Sequence, residues 1–134
     1  MKTALPALAT IAFIAFTGCD YLEARRVSGQ IERELDIEFS SQPAVLQSES
    51  YGSIEENGDR SLLQLNPADC AQVSERLEEK APTVFSGDAS RLFALAGIAP
   101  VSVRRRTQRN GHGDIRVYEL DEASCVLFRQ AHFE

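Results

Sequence analysis

Residues 101–121 read Val-Ser-Val-Arg-Arg-Arg-Thr-Gln-Arg-Asn-Gly-His-Gly-Asp-Ile-Arg-Val-Tyr-Glu-Leu-Asp. Two runs that alternate apolar and polar side chains flank a connection holding two glycines, and glycine supplies the positive φ angles that a tight hairpin needs. The pattern predicts antiparallel strands over Val101–Gln108 and Ile115–Asp121, joined by a Gly111-His112-Gly113 loop. That loop sets Arg104 opposite Leu120, Arg105 opposite Glu119 and Arg106 opposite Tyr118. A loop one residue longer would set Arg104 against Glu119 instead, since a one-residue slip exchanges the two faces of a strand. In the first register one face collects Val101, Val103, Thr107, Ile115 and Val117, with Arg105 and Glu119 compensating each other. The other face is basic, carrying Arg104, Arg106 and Arg116 beside Tyr118.

Working outward from the hairpin, Cys125 to Phe133 opens with a run that is apolar on both faces, which suits an interior strand. On the N-terminal side, Asp88 to Ala96 reads as a short helix ended by Gly97, with Pro100 beyond it. Asn66-Pro67-Ala68-Asp69 is a helix start: asparagine caps, proline fits the first turn, and aspartate favours the positive end of the dipole. Cys70, Val73 and Leu77 then share one face of that helix and point Cys70 inward. Ala44 to Leu65 predicts two strands, the first sparse in apolar residues and suited to an edge, with the turn at Glu56-Asn57-Gly58-Asp59. Tyr21 to Asp36 carries a helical stripe of Val27, Ile31 and Leu35. The expected architecture is α+β: a small antiparallel sheet with two or three helices packed on one face and one disulfide.

The chain has 134 residues and three cysteines, with 43% hydrophobic and 25% charged residues. These are globular proportions, so wholesale disorder, a collagenous repeat and a polytopic membrane protein are excluded as readings. Met1-Lys2 is a positive start, Thr3 to Phe16 is apolar but too short to span a bilayer, and no charge recurs until Asp20, the layout of an export signal. The stretch ends in Phe16-Thr17-Gly18-Cys19. It resembles the lipobox of bacterial lipoproteins, with Gly18 and Cys19 at the motif's most restrictive positions and Phe16 and Thr17 departing from its usual leucine and alanine or serine. The resemblance implies cleavage before Cys19, lipid attachment to Cys19 and a single extracytoplasmic domain over 19–134, with 1–18 a signal peptide. It covers only the N-terminal segment and says nothing of the domain. Asp20 is similar to the residue that retains enterobacterial lipoproteins at the inner membrane; other bacteria read other positions, which leaves the outer membrane open.

With Cys19 lipidated, Cys70 and Cys125 remain as a pair in an oxidising compartment, where a structural disulfide is the natural reading and would contribute roughly 4 kcal/mol by the chain-entropy model. Two buried free thiols are the alternative. No Cys-x-x-Cys favours redox activity, and His112 and His132 lack ligand spacing to the cysteines, so no metal or other cofactor is implied.

Charge divides unevenly: residues 20–80 hold 14 acidic and 6 basic side chains, and 81–134 hold 6 and 7. Arg104, Arg106 and Arg116 with Tyr118 form a candidate surface for an anionic partner such as lipid headgroups, a carboxylate-bearing polymer or an acidic protein patch. The plain alternative is a strand face whose arginines pair with the chain's own acids. The net charge of −6 disfavours nucleic acid. No Gly-x-Ser-x-Gly, His-Glu-x-x-His or phosphate-loop motif occurs. The acid pairs Glu55-Glu56, Glu78-Glu79 and Asp121-Glu122 are adjacent in sequence, unlike facing catalytic carboxylates. The sequence therefore predicts a non-enzymatic, lipid-anchored envelope module that binds, inhibits or assembles a partner. The competing reading is a small envelope hydrolase using His112 with an acid.

Overall fold

The computed structural model describes residues 22–53, 57–81, 87–109 and 113–133, with the side chains of 79–81 excepted. The signal segment, Cys19 and His112 lie outside these residues. The elements are helix α1 (22–35), strands β1 (Ala44–Gly52) and β2 (Asn57–Gln64), helix α2 (Pro67–Arg76), strand β3 (Glu79–Ala81), helix α3 (Gly87–Leu95), and strands β4 (Val103–Arg109), β5 (Ile115–Asp121) and β6 (Val126–Phe133). All strands pair antiparallel in one sheet of order β1-β2-β6-β5-β4-β3, five of them long and β3 a three-residue edge piece. The α+β class and the Cys70–Cys125 bridge expected from sequence are both present.

The hairpin that decided the fold forms in the first of its two registers, with Arg104 opposite Leu120, Arg105 opposite Glu119 and Arg106 opposite Tyr118. Strand β6 is interior, between β2 and β5, and β1 is an edge. Because alternate residues point to opposite faces, the sheet has two apolar layers. Leu63, Leu120 and Leu127 face α1 and α2, packing with Val27, Ile31, Leu35, Val73 and Leu77. Leu62, Val126 and Phe128 face the other way, onto Ala89, Leu92 and Phe93 of α3. Two helices thus share one face, and the third closes the opposite one.

Local chemistry sets the helix ends. Asn66 caps α2, its side chain accepting from the Asp69 N–H at 2.8 Å. Asp36 takes a left-handed conformation after α1, and Ile37 N–H reaches back to the Glu32 carbonyl at 3.1 Å. Gly97 does the same after α3, where Ile98 N–H bonds the Phe93 carbonyl at 2.9 Å. Both are six-to-one closures that satisfy carbonyls the helix itself leaves open.

Two expectations are corrected. The turn between the first strands is not at Asn57-Gly58: those residues are already in β2, opposite Gly52 and Tyr51. Gly58 serves by its missing side chain, since a Cβ there would lie 2.5 Å from the Tyr51 hydroxyl and closer still to the Ala131 carbonyl oxygen. Tyr51 crosses over it to reach His132 on β6, with Oη and Nδ1 2.8 Å apart and the rings stacked. Cys125, expected on the last strand, sits in the preceding turn at φ 57°. Its carbonyl accepts from Leu65 N–H at 2.9 Å. The bridge spans 55 residues with a Cα–Cα distance of 5.4 Å and ties α2 to the start of β6.

Candidate functional site

The basic strand face read from sequence is the face that α1 and α2 cover. Two of the four residues expected on an anionic-partner surface, Arg116 and Tyr118, lie under α1 and meet Glu34. Arg116 Nε donates to Glu34 Oε2 at 2.9 Å, and the Tyr118 hydroxyl donates to Glu34 Oε1. Tyr118 is wholly buried. The same carboxylate receives Arg129 Nε at 3.1 Å and Arg129 NH2 at 2.9 Å. Arg129 is among the largest fully buried side chains of the described residues, 1% exposed. A second acid, Asp59, stands 3.5 Å from its remaining nitrogen.

The electrostatics follow from this crowding. Burial opposes ionisation of Glu34, but the donors on Arg129, Tyr118 and Arg116 outweigh it and hold the carboxyl below its ordinary value. Burial raises Tyr118 well above its ordinary value, and the neighbouring Glu34 carboxylate adds to this. The phenol therefore stays a donor. Arg129 is held charged: burial opposes this, and the hydrogen bonds to Glu34 prevail. The cluster is a polar clamp between α1 and the middle of the sheet.

Contacts trace α1 across the strands in order. Glu23 Oε1 accepts from Ser48 Oγ of β1 at 3.2 Å. Arg26 is 3.9 Å from Asp59 of β2. Glu34 holds Arg129 of β6 and Arg116 and Tyr118 of β5. The helix thus starts over the β1 edge and runs inward.

The other two expected residues sit at the far side of the sheet. Arg104 is 3.4 Å from Glu122 through Nε, and its NH1 donates to the Leu77 carbonyl at 3.3 Å. Arg106 NH1 donates to the Arg76 carbonyl at 3.3 Å. Both guanidinium groups therefore approach the C-terminal end of α2, where unsatisfied carbonyls favour cations. Among the described residues, strand β3 pairs with 103–105 and no strand pairs with this side of Arg106 to Arg109, of which Arg109 is exposed. Arginine is concentrated along this margin.

No family model, curated protein or solved structure matches the chain. Its chemistry is read from its own residues. Among the described residues, no group of three or more histidine, cysteine or acidic side chains is placed to hold a metal ion. None of the described helices is long and apolar enough to cross a membrane.

Sequence reading missed Glu34 and Arg129. Nothing local sets Glu34 apart from the other acids of residues 21–36. The available signal was Arg129 itself, since a cation in an apolar interior strand requires a buried counter-charge. A second network also escaped notice. Glu49 on β1 accepts from Arg60 NH1 of β2 at 3.0 Å and from Arg91 of α3, and Arg60 lies 4.0 Å over the Tyr51 ring. Hydrogen bonding from Arg91 is the main cause that holds the Glu49 carboxyl below its ordinary value.

Two further carboxylates organise loops. Asp69 is buried and receives the Ser40 and Ser41 N–H groups at 2.9 and 3.4 Å, binding the segment after α1 to α2. Asp121 receives Val101 and Ser102 N–H at 2.9 and 3.0 Å and the Ser124 hydroxyl at 2.6 Å. Burial opposes its ionisation, and these bonds still keep it below its ordinary value.

Proposed function

We propose that this protein is a lipid-anchored module of the bacterial envelope, held through Cys19 on the periplasmic side of a membrane. Its disulfide-bonded domain binds, inhibits or assembles an anionic envelope component without doing chemistry on it. The observation that carries the reading is the junction of anchor and domain. Gly18-Cys19 closes an export-type apolar stretch, and only three residues further along the chain stands the described part of α1, which Glu34 clamps to the sheet. Two or three acyl chains at about 0.8 kcal/mol per buried CH₂ hold such a domain at the membrane effectively permanently. The Cys70–Cys125 bridge agrees with a compartment where disulfides persist.

The partner surface in this reading is the arginine-rich margin of β4. Arg104 and Arg106 are oriented there by carbonyls at the end of α2, and Arg109, exposed at the end of the same strand, stands on its other face. Planar guanidinium groups suit carboxylate or phosphate acceptors. Radiolabelled palmitate should enter the wild-type protein and not Cys19→Ser, and incorporation into both refutes the anchor. Reversing Arg106 and Arg109 to glutamate should abolish capture of an acidic envelope partner by the anchored protein. Undiminished capture removes this surface from the reading.

A further inference from the structure

We infer that the domain stands on its bilayer through the β1 edge and the first turn of α1, with the β4 margin turned away from the lipid. The inference rests on the anchor reading and adds an orientation to it. From Cys19 to Leu22 the chain spans at most about 10 Å, so Leu22 and the described end of α1 lie at the interface. Because α1 crosses the sheet from β1 towards β5 and is clamped at Glu34, its direction fixes that of the whole domain. The end of α1 near the lipid is the end over β1, where Glu23 meets Ser48.

This side carries the side chains that a phospholipid surface takes. Leu22 is 69% exposed in the first turn of α1, and Leu46 is 37% exposed on β1. Leu46 is the extra residue of a bulge: Val45 pairs with Leu63 and Gln47 with Leu62, leaving it without a partner. A bulge interrupts pairing along a free edge, which discourages a further strand from joining there. Arg25, exposed on α1, forms no ion pair within the described residues and complements anionic headgroups. Glu23, the acid closest to it in sequence, is neutralised by Arg26 at 2.8 Å. Strand β4 lies four strand spacings from β1, about 19 Å. The arginines of its margin therefore address a partner in the aqueous space rather than headgroups of the anchoring membrane.

The test uses the lipidated full chain in vesicles containing phosphatidylglycerol and brominated lipid. An environment-sensitive fluorophore is carried at Leu46→Cys or Ser50→Cys on β1, or at Thr107→Cys on β4. Using two β1 positions keeps the test intact if the bulge does not tolerate substitution. Quenching should be several-fold greater at both β1 positions than at Thr107. Equal quenching, or stronger quenching at Thr107, in protein that floats with the vesicles overturns the orientation and leaves the anchor standing. Failure to float overturns both.

Discussion

Glu34 is the residue whose loss should be felt furthest. Glu34→Ala removes the carboxylate that accepts from Arg129, Arg116 and Tyr118 at once. Arg129, 1% exposed, then keeps the neutral Tyr118 hydroxyl at 3.3 Å and, as its nearest charge, Asp59 at 3.5 Å, beyond a good hydrogen bond. Removing one partner of a buried pair costs about 3–5 kcal/mol, because the other charge is left uncompensated. Glu34 itself is 18% exposed, so water reaches part of the site. That places the expected loss near the low end, about 3 kcal/mol, or roughly a hundredfold in the folding equilibrium. Arg129→Met should cost a similar amount. The double variant Glu34→Leu, Arg129→Met should recover most of the loss, since an apolar pair of similar volume leaves no orphaned charge. Urea unfolding of the oxidised domain at neutral pH measures all three through the midpoint at constant slope. Single variants within about 0.5 kcal/mol of wild type, or a double variant whose loss is the sum of the singles, would refute the clamp.

Acidification should act through the same residue and through Asp121. Both carboxyls are held below their ordinary values, so the stability they add is present above the unfolded-state values near pH 4 and disappears as pH falls through the lower folded-state values. Unfolding midpoints measured across this range should fall less steeply for Glu34→Gln than for wild type. Thiol titration of the denatured, unreduced 19–134 domain in its lipidated form should find no free thiol. Reduction should then lower stability by about 2–5 kcal/mol. Gly58→Ala should destabilise by roughly 1–3 kcal/mol, because the new methyl group meets Tyr51 and the fixed Ala131 carbonyl. Truncating Tyr51 as well should fail to restore the thermal midpoint, since the backbone oxygen remains.

Much of the fold was legible because its signals are local. Asn66 and Pro67 start a helix, Gly97 ends one, and the register of β4 on β5 is one of the two that the strand pattern allows. The both-sided apolar run of β6 placed that strand inside the sheet for the same kind of reason. The turn misplaced onto Asn57-Gly58 shows the limit of such signals. A glycine announces freedom, but not whether the chain spends it on a positive φ or on room for a neighbour's ring.

By itself, the sequence determined the α+β class, narrowed the hairpin to two registers, and set the expectations of a Cys70–Cys125 pair and of an anchor at Cys19; the structure selected the register and showed the bridge. Each expectation rests on residues adjacent in the chain, on periodicity or on a count. Only the tertiary structure decided which face of the sheet each helix covers. From that follows the fate of the basic face: Arg116 and Tyr118 close on Glu34 beneath α1, while Arg104 and Arg106 stay at the margin of the sheet. Glu34 and Arg129 are 95 residues apart. Nothing local couples them, because the energy of a buried charge depends on what surrounds it in space.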